Sequence, residues 1–250
     1  MESVYTVVFP VSFAKFNKSG ADFLEAQYWH QKWHDEKIGF HQVDVNKRLK
    51  AFWPNVVELA AHEGRKPCVF VPLCGKSLDM LWLHEQGCEV LGIELSEKAV
   101  EAFFAENALT YNRVDDGEFV VFQGVGNAAG IKIMAGDFFK LTPVHTASCT
   151  LLYDRASLIA MNADMRADYT EHLGMLLASG LRGLLLTISY DQDKMSGPPF
   201  SVSDETVQVL LEKCFDIQLL AHYSGPEKLG NLAGRGLETL DERVHLLVRK

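Results

Sequence analysis

The sequence predicts an α/β fold, a parallel sheet covered by helices on both faces, with a helical cap in front of it. Three observations predict this. Short apolar runs at 68–72 and 88–94 are each followed by a segment of helical periodicity, the strand–helix–strand–helix order of a parallel sheet. The segment before them carries helical spacing instead. Of 250 residues, 48% are hydrophobic and 23% charged, a globular balance that excludes a disordered chain or a coiled coil. Residues 1–20 read as an extension and 21–250 as one domain, with 21–63 the cap and 64–250 the α/β core.

In chain order, 21–36 is polar and aromatic, with Phe23, Gln27, Trp29 and Trp33 near helical spacing, and 45–62 reads as a helix broken at Pro54. CVFVP (68–72) is the first strand. The helix after it has its periodicity in Leu78, Leu81 and Trp82 and stops at Gly87. CEVLGIE (88–94) is the second strand. Ser96 then caps a helix whose apolar residues are Ala99, Val100, Phe103 and Phe104. FVVFQG (119–124), IKIMAG (131–136), SCTLLYD (148–154) and LRGLLLTISYD (181–191) read as strands, with a helical region over 156–178. Ser203 or Asp204 opens a helix reaching about Cys214, and 216–224 and 242–250 close the chain as strands, joined through a Gly-rich stretch as an antiparallel hairpin.

Charge and cysteine usage narrow the function classes. With 24 Lys and Arg against 33 Asp and Glu the net charge is −9, which disfavours nucleic-acid backbones and anionic membranes as partners. No apolar window approaches the ~18 residues of a membrane span. The N-terminal stretch carries Glu2 rather than a basic charge and its short apolar run is interrupted by Pro10, so no signal peptide is expected. The five cysteines are odd in number and lack CxxC spacing, which fits free thiols in a reducing compartment. The cytoplasm is the expected location, and with no heptads or conspicuous apolar face to argue for assembly a monomer is expected.

The chemistry is expected at the carboxyl ends of the strands. The first strand runs into Pro72-Leu73-Cys74-Gly75-Lys76, and the second ends at Glu94, 19 positions after Gly75. An acid at that spacing suits a ribose hydroxyl pair. A dinucleotide loop wants G-x-G-x-x-G so that several amides reach a pyrophosphate, but this loop has one glycine, and no P-loop occurs. The spacing therefore favours an adenosine compound without phosphates, S-adenosylmethionine being the common one. Taken alone it fits equally well two residues that merely terminate strands.

The longer pattern is more specific. VPLCGKSLDMLWLHEQGCEVLGIELSEKAVEAFF, with its P-L-C-G-K-x-x-x-M-x-W run, resembles the thiopurine S-methyltransferase family. Trp29-x-x-x-Trp33 with Ile38-Gly39-Phe40-His41, then Tyr153-Asp154-Arg155-Ala156, then SYD (189–191) with GPPF (197–200), agree with that family in order. The resemblance covers about residues 22–250. It implies a Rossmann-like methyltransferase fold, a seven-stranded mostly parallel sheet with an antiparallel last strand, and S-adenosylmethionine as the cofactor. It further implies that Trp29 and Trp33 close over the cofactor, that Leu73 lies in the cofactor loop, and that Glu94 accepts from the ribose. Asp137 and Phe138 are implied at the adenine, Arg155 beside the transferable methyl and the acceptor, and Phe40 in the acceptor pocket. Family members often carry another arginine before the last hairpin. Here that stretch is GPEKLGNLAGRG (225–236), with Lys228 and Arg235 as its cations.

The implied activity is methyl transfer to an aromatic or heterocyclic thiol, with selenium or tellurium compounds as an extension. Such a displacement needs alignment and exclusion of water. Aromatic rings can stabilise a sulfonium, and a guanidinium favours a thiolate over a thiol. Rival readings are a thiocyanate, halide or aliphatic-thiol methyltransferase of related fold, a Rossmann-type nucleotide-binding oxidoreductase, and a binding module without turnover. His30 and His34 are four apart but lack a third ligand, so no metal is expected. Cys74 reads as a small apolar loop residue rather than an activated thiol, and Asp154-Arg155 reads either as part of the site or as a strand-end ion pair.

Overall fold

The computed structural model describes residues 20–57 and 66–250. The expected extension, residues 1–20, and the last turns of the expected second helix, 58–62, lie outside the described residues apart from Gly20. The elements in order are α1 (Gly20–His34), α2 (Lys47–Val57), β1 (Cys68–Val71), α3 (Asp79–Glu85), β2 (Glu89–Glu94), α4 (Glu97–Glu106), β3 (Thr110–Asp116), β4 (Phe119–Val125), β5 (Ile131–Ala135), α5 (Pro143–Thr146), β6 (Leu151–Arg155), α6 (Ser157–Ala160), α7 (Ala163–Leu176), β7 (Arg182–Ser189), α8 (Asp204–Leu211), β8 (Phe215–Gly225) and β9 (Leu240–Arg249).

The strands form one nine-stranded sheet, ordered β3-β4-β5-β2-β1-β6-β7-β9-β8. The five central strands, β5, β2, β1, β6 and β7, pair in parallel. At one side β4 and β3 add antiparallel. At the other, β9 and β8 do the same. The expected seven-stranded, mostly parallel sheet is thus corrected to nine strands, with half of the pairings antiparallel. β3 escaped notice because TYNRVDD is an edge strand exposed along most of its length, so no apolar alternation marks it. The closing hairpin of β8 and β9 is antiparallel as expected.

The centre of the sheet is held because its strands are apolar on both faces. Val69 and Val71 pack with Leu49, Trp53, Phe103, Phe104 and Phe122 on one face. Phe70 and Leu152 pack with Tyr169, Leu173, Phe215 and Leu247 on the other. Each fully buried side chain of this kind contributes about 1.5–3 kcal/mol over leaving it in water. Ser96 caps α4 by accepting from the Ala99 amide, and Ala99, Val100, Phe103 and Phe104 are its buried face, as the periodicity predicts.

Three helix readings need correction. Pro54 does not break α2 but lies inside it, where the burial of Trp53 and Val56 on either side carries the helix through the missing amide. In α3 the buried face is Asp79, Met80 and Leu83, not the half-buried Leu81 and Trp82. The region 156–178 splits, because Ala156 is left-handed and Met161 extended, and Asn162 caps α7 with a bond from the Met165 amide.

Candidate active site

Strand β1 is flanked by β2 on one side and β6 on the other, so the chain leaves it in opposite directions. A crevice opens beyond the carboxyl ends of the strands at such a switch point. Here it is a cavity of about 1200 Å³, walled by the cap, the loop after β1, the ends of β2, β6 and β7, and the β8–β9 connection.

The loop after β1 is built by two left-handed residues, Leu73 at φ 47° and Gly75 at φ 53°. For Leu73 such a conformation costs on the order of 1 kcal/mol or more, and such strain clusters at functional sites. The turn lets the Cys74 amide donate to the Ile93 carbonyl at 2.9 Å and the Gly75 amide donate to Glu94 Oε2 at 2.9 Å. Gly92 in β2 permits the approach, since a Cβ there would stand 2.8 Å from Cys74 Sγ. The 19-residue spacing thus marks two groups that meet.

Glu94 is 6% exposed. Its carboxylate accepts only backbone donors among the hydrogen bonds described, from Gly75 and, on Oε1, from the Ser96 amide at 2.9 Å. Burial raises its pKa, opposed by those amides. A buried carboxylate at a cavity edge, held by neutral amides, has lone pairs left for hydroxyl donors. That is the chemistry of a ribose diol, and the residues present fit a nucleoside. The Gly75 amide of the loop is already engaged by a carboxylate rather than left for a phosphate.

Trp29, Trp33 and Phe40 form one aromatic wall. The Phe40 ring stands edge-on to Trp29 at 5.6 Å and to Trp33 at 5.5 Å between centroids. Trp33 covers the glycine of the loop, where a Cβ on Gly75 would come within 3.2 Å of its ring. These three, with Leu73, Gly75, Glu94 and Arg155, all line the cavity. Asp137 and Phe138 do not. The Asp137 carboxylate accepts from the Phe139 amide at 3.0 Å, and Phe138 is buried against Tyr169 and His172. Lys228 and Arg235 both reach the cavity from the β8–β9 side.

Arg155 is not the ion-pair partner of its neighbour Asp154. Its Nε donates to Asp79 Oδ2 at 2.7 Å and its Nη2 to Ser77 Oγ at 3.0 Å. Asp154 points to the opposite face of the sheet and accepts from the Tyr169 hydroxyl at 2.7 Å, as period-two alternation requires. Asp79 and Ser77 went unread in the sequence although both stand within the P-L-C-G-K-S-L-D-M run. An acid in the first turn of a helix reads as ordinary dipole compensation. His41 also lines the cavity; burial, then the positive field of Lys76, lowers its pKa and keeps the ring neutral near pH 7. Cys74 is a protonated thiol, because burial and then the charge of Glu94 push its pKa well up. The activated-thiol reading is thereby excluded. Among the described residues no group of three or more His, Cys, Asp or Glu could hold a metal ion.

Burial pushes the Asp154 carboxyl up from its ordinary 3.8 to about 6. The native state therefore holds its proton more tightly than the unfolded chain, and stability falls as pH rises from about 4 to about 6. At ~1.4 kcal/mol per pH unit the ionised group costs on the order of 3 kcal/mol above that window. The Asp154→Asn variant should melt higher than the parent at pH 8, and the gap should close by pH 4 in thermal melts.

Comparison with known proteins bears on the fold and the family. Solved structures with the same fold include Burkholderia thailandensis 1,6-didemethyltoxoflavin-N1-methyltransferase with bound 1,6-didemethyltoxoflavin and S-adenosylhomocysteine (TM-score 0.53, 18% identity, 92% of this chain and 88% of that one). Another is Haemonchus contortus phosphoethanolamine N-methyltransferase 2 with S-adenosyl-L-methionine (TM-score 0.57, 12% identity, 94% and 61%). At such identities the likeness concerns the fold. Curated relatives named thiopurine S-methyltransferase come from Pseudomonas fluorescens strain Pf0-1 (43% identity over 223 residues, 89% of this chain and 98% of the relative) and Nitrosospira multiformis (43% over 227 residues, 91% and 99%). The fold, its strand-end crevice and these relatives define an S-adenosylmethionine-dependent methyltransferase. Residues 24–250 match the model of thiopurine S-methyltransferase (TPMT), and the chain belongs to that family. The oxidoreductase reading falls with this. No helix is long and apolar enough to cross a membrane among the described residues.

Proposed function

We propose that this S-methyltransferase acts on aromatic or heterocyclic thiols, with selenium or tellurium compounds as an extension. The observation that carries the reading is a guanidinium, Arg155, anchored from beneath and lining the same cavity as the Trp29–Phe40–Trp33 wall. When bound, S-adenosylmethionine supplies an electrophilic methyl on a sulfonium. Glu94 accepts from the ribose hydroxyls, and Leu73 and Gly75 shape the loop beside it. Asp137 and Phe138 follow β5, where the family pattern implies the adenine; with both outside the cavity lining, an adenine contact there would come from their backbone. Trp29 and Trp33 exclude water and offer ring faces to positive charge.

On the acceptor side, Phe40 packs against a flat thiol and Arg155 favours its thiolate form. An alkyl thiol ionises near pH 8.5, so a neighbouring cation raises the reactive fraction at neutral pH. The thiol proton leaves to solvent. The sulfur lone pair then forms the new carbon–sulfur bond as the methyl's old bond to sulfur breaks. In this reading the protein is a cytoplasmic monomer; its buried thiols support the compartment, with Cys68 and Cys149 unbonded, their sulfurs 3.5 Å apart.

The test is incubation of purified protein with S-adenosylmethionine and 6-mercaptopurine or thiophenol. The expected result is the S-methyl thioether together with S-adenosylhomocysteine. Cofactor binding without methylation of either thiol would overturn the reading in favour of thiocyanate, halide or aliphatic-thiol acceptors, which the same assay would then register.

A further inference from the structure

We propose that Asp79 is the positioning residue of this site: one carboxylate that fixes the Arg155 guanidinium and ties the acceptor-side wall of the cap to it. The inference rests on the reading of Arg155 as the acceptor-facing cation. Asp79 is 1% exposed. Three donors from two distant segments converge on it: from β6, Arg155 Nε at 2.7 Å and the Tyr153 hydroxyl at 2.9 Å on Oδ2, and from the cap, the Asn46 amide at 2.7 Å on Oδ1. The neighbouring Ser77 hydroxyl receives both the Arg155 Nη2 at 3.0 Å and the Asp79 amide at 3.2 Å. Two nitrogens of the guanidinium are therefore held from beneath, while 16% of the side chain stays exposed.

The Asn46 bond gives the arrangement a second use. Asn46 opens α2 by accepting from the Arg48 amide at 2.8 Å, and residues 39–48 line the cavity. Asp79 thereby anchors both the cap wall on the acceptor side and the cation that faces it. An arginine left to itself gives up rotamer freedom when it is fixed in one geometry. Fixing it before the acceptor arrives moves that loss out of the reaction. A purely stabilising ion pair would need no link to the cap and would gain little, since burying two charges roughly cancels their attraction.

The experiment is a double-mutant cycle on the full chain with Asp79→Asn, Arg155→Lys and the pair. Readouts are kcat and KM for thiophenol and for an alkyl thiol, S-adenosylhomocysteine affinity by calorimetry, and the melting temperature. Asp79→Asn should lower kcat/KM for the alkyl thiol 10–100-fold and for the acidic thiophenol much less. Nucleoside affinity should stay within about threefold. The double variant should be no more than about threefold worse than Arg155→Lys, because Asp79 acts through Arg155. Losses that multiply across the cycle, or nucleoside binding and melting temperature that fall in step with activity, would overturn the proposal in favour of a structural role. Wild-type turnover in Asp79→Asn would overturn it outright. Full activity of Arg155→Lys would instead remove the reading of Arg155 on which it rests, a separate outcome of the same cycle.

Discussion

Replacing Glu94 with alanine should weaken S-adenosylhomocysteine binding at least 100-fold in calorimetry. Hydrogen bonds to a charged acceptor are worth about 1.5–3 kcal/mol each, and a ribose diol offers two of them. At about 1.4 kcal/mol per tenfold, their loss amounts to two decades or more. The substitution also strips the Gly75 and Ser96 amides of their acceptor, so the loop after β1 loses its tie to the end of β2. Glu94→Gln keeps the shape and one carbonyl oxygen, and should fall between. Burial raises the pKa of Glu94. Affinity should therefore decline on acidification as the carboxyl takes up its proton and loses acceptor capacity, at a higher pH than an exposed glutamate would dictate. Nucleoside affinity unchanged in Glu94→Ala would mean that the ribose is held elsewhere.

The second large effect concerns Arg155. Arg155→Lys keeps a charge opposite Asp79 but cannot reach Asp79, Ser77 and the acceptor together from one ammonium. Its kcat/KM for an alkyl thiol should fall about 10–100-fold, the value of one or two charge-assisted bonds. Thiophenol, already largely ionised near neutral pH, should be affected much less. Arg155→Ala should do more harm of a different kind, because it leaves Asp79 buried without its cation; such uncompensated charges cost about 3–5 kcal/mol of stability. A melting temperature that drops sharply in the alanine variant and little in the lysine variant would separate the two effects. Equal activity of parent and lysine variant on every thiol would remove Arg155 from the chemistry.

Local signals in this chain were readable where one short segment carried them. The Ser96 cap, the apolar face of α4 and the alternation of strands with helices rest on contacts a few residues apart, and the structure has them. The Gly75–Glu94 contact was readable because βαβ geometry sets its spacing. What local pattern could not supply is the company a side chain keeps across the fold. Arg155 finds Asp79, 76 residues away, rather than adjacent Asp154, since consecutive strand residues face opposite sides of the sheet. Asp137 and Phe138 follow β5 as the family pattern implies, yet their side chains turn to the Phe139 amide and to Tyr169 and His172. β3 was missed because its residues bury almost nothing, and α2 ran through Pro54 because tertiary packing outweighed one missing amide.

The central claim is that the end of β2 and the loop after β1 hold the sugar of the methyl-bearing nucleoside. A crystal structure of the protein with S-adenosylhomocysteine tests it most directly. Both ribose hydroxyls should lie within hydrogen-bonding distance of the Glu94 carboxylate, with the Leu73–Gly75 turn alongside. A ribose seated anywhere else, or a Glu94 side chain turned away from it, would contradict the claim.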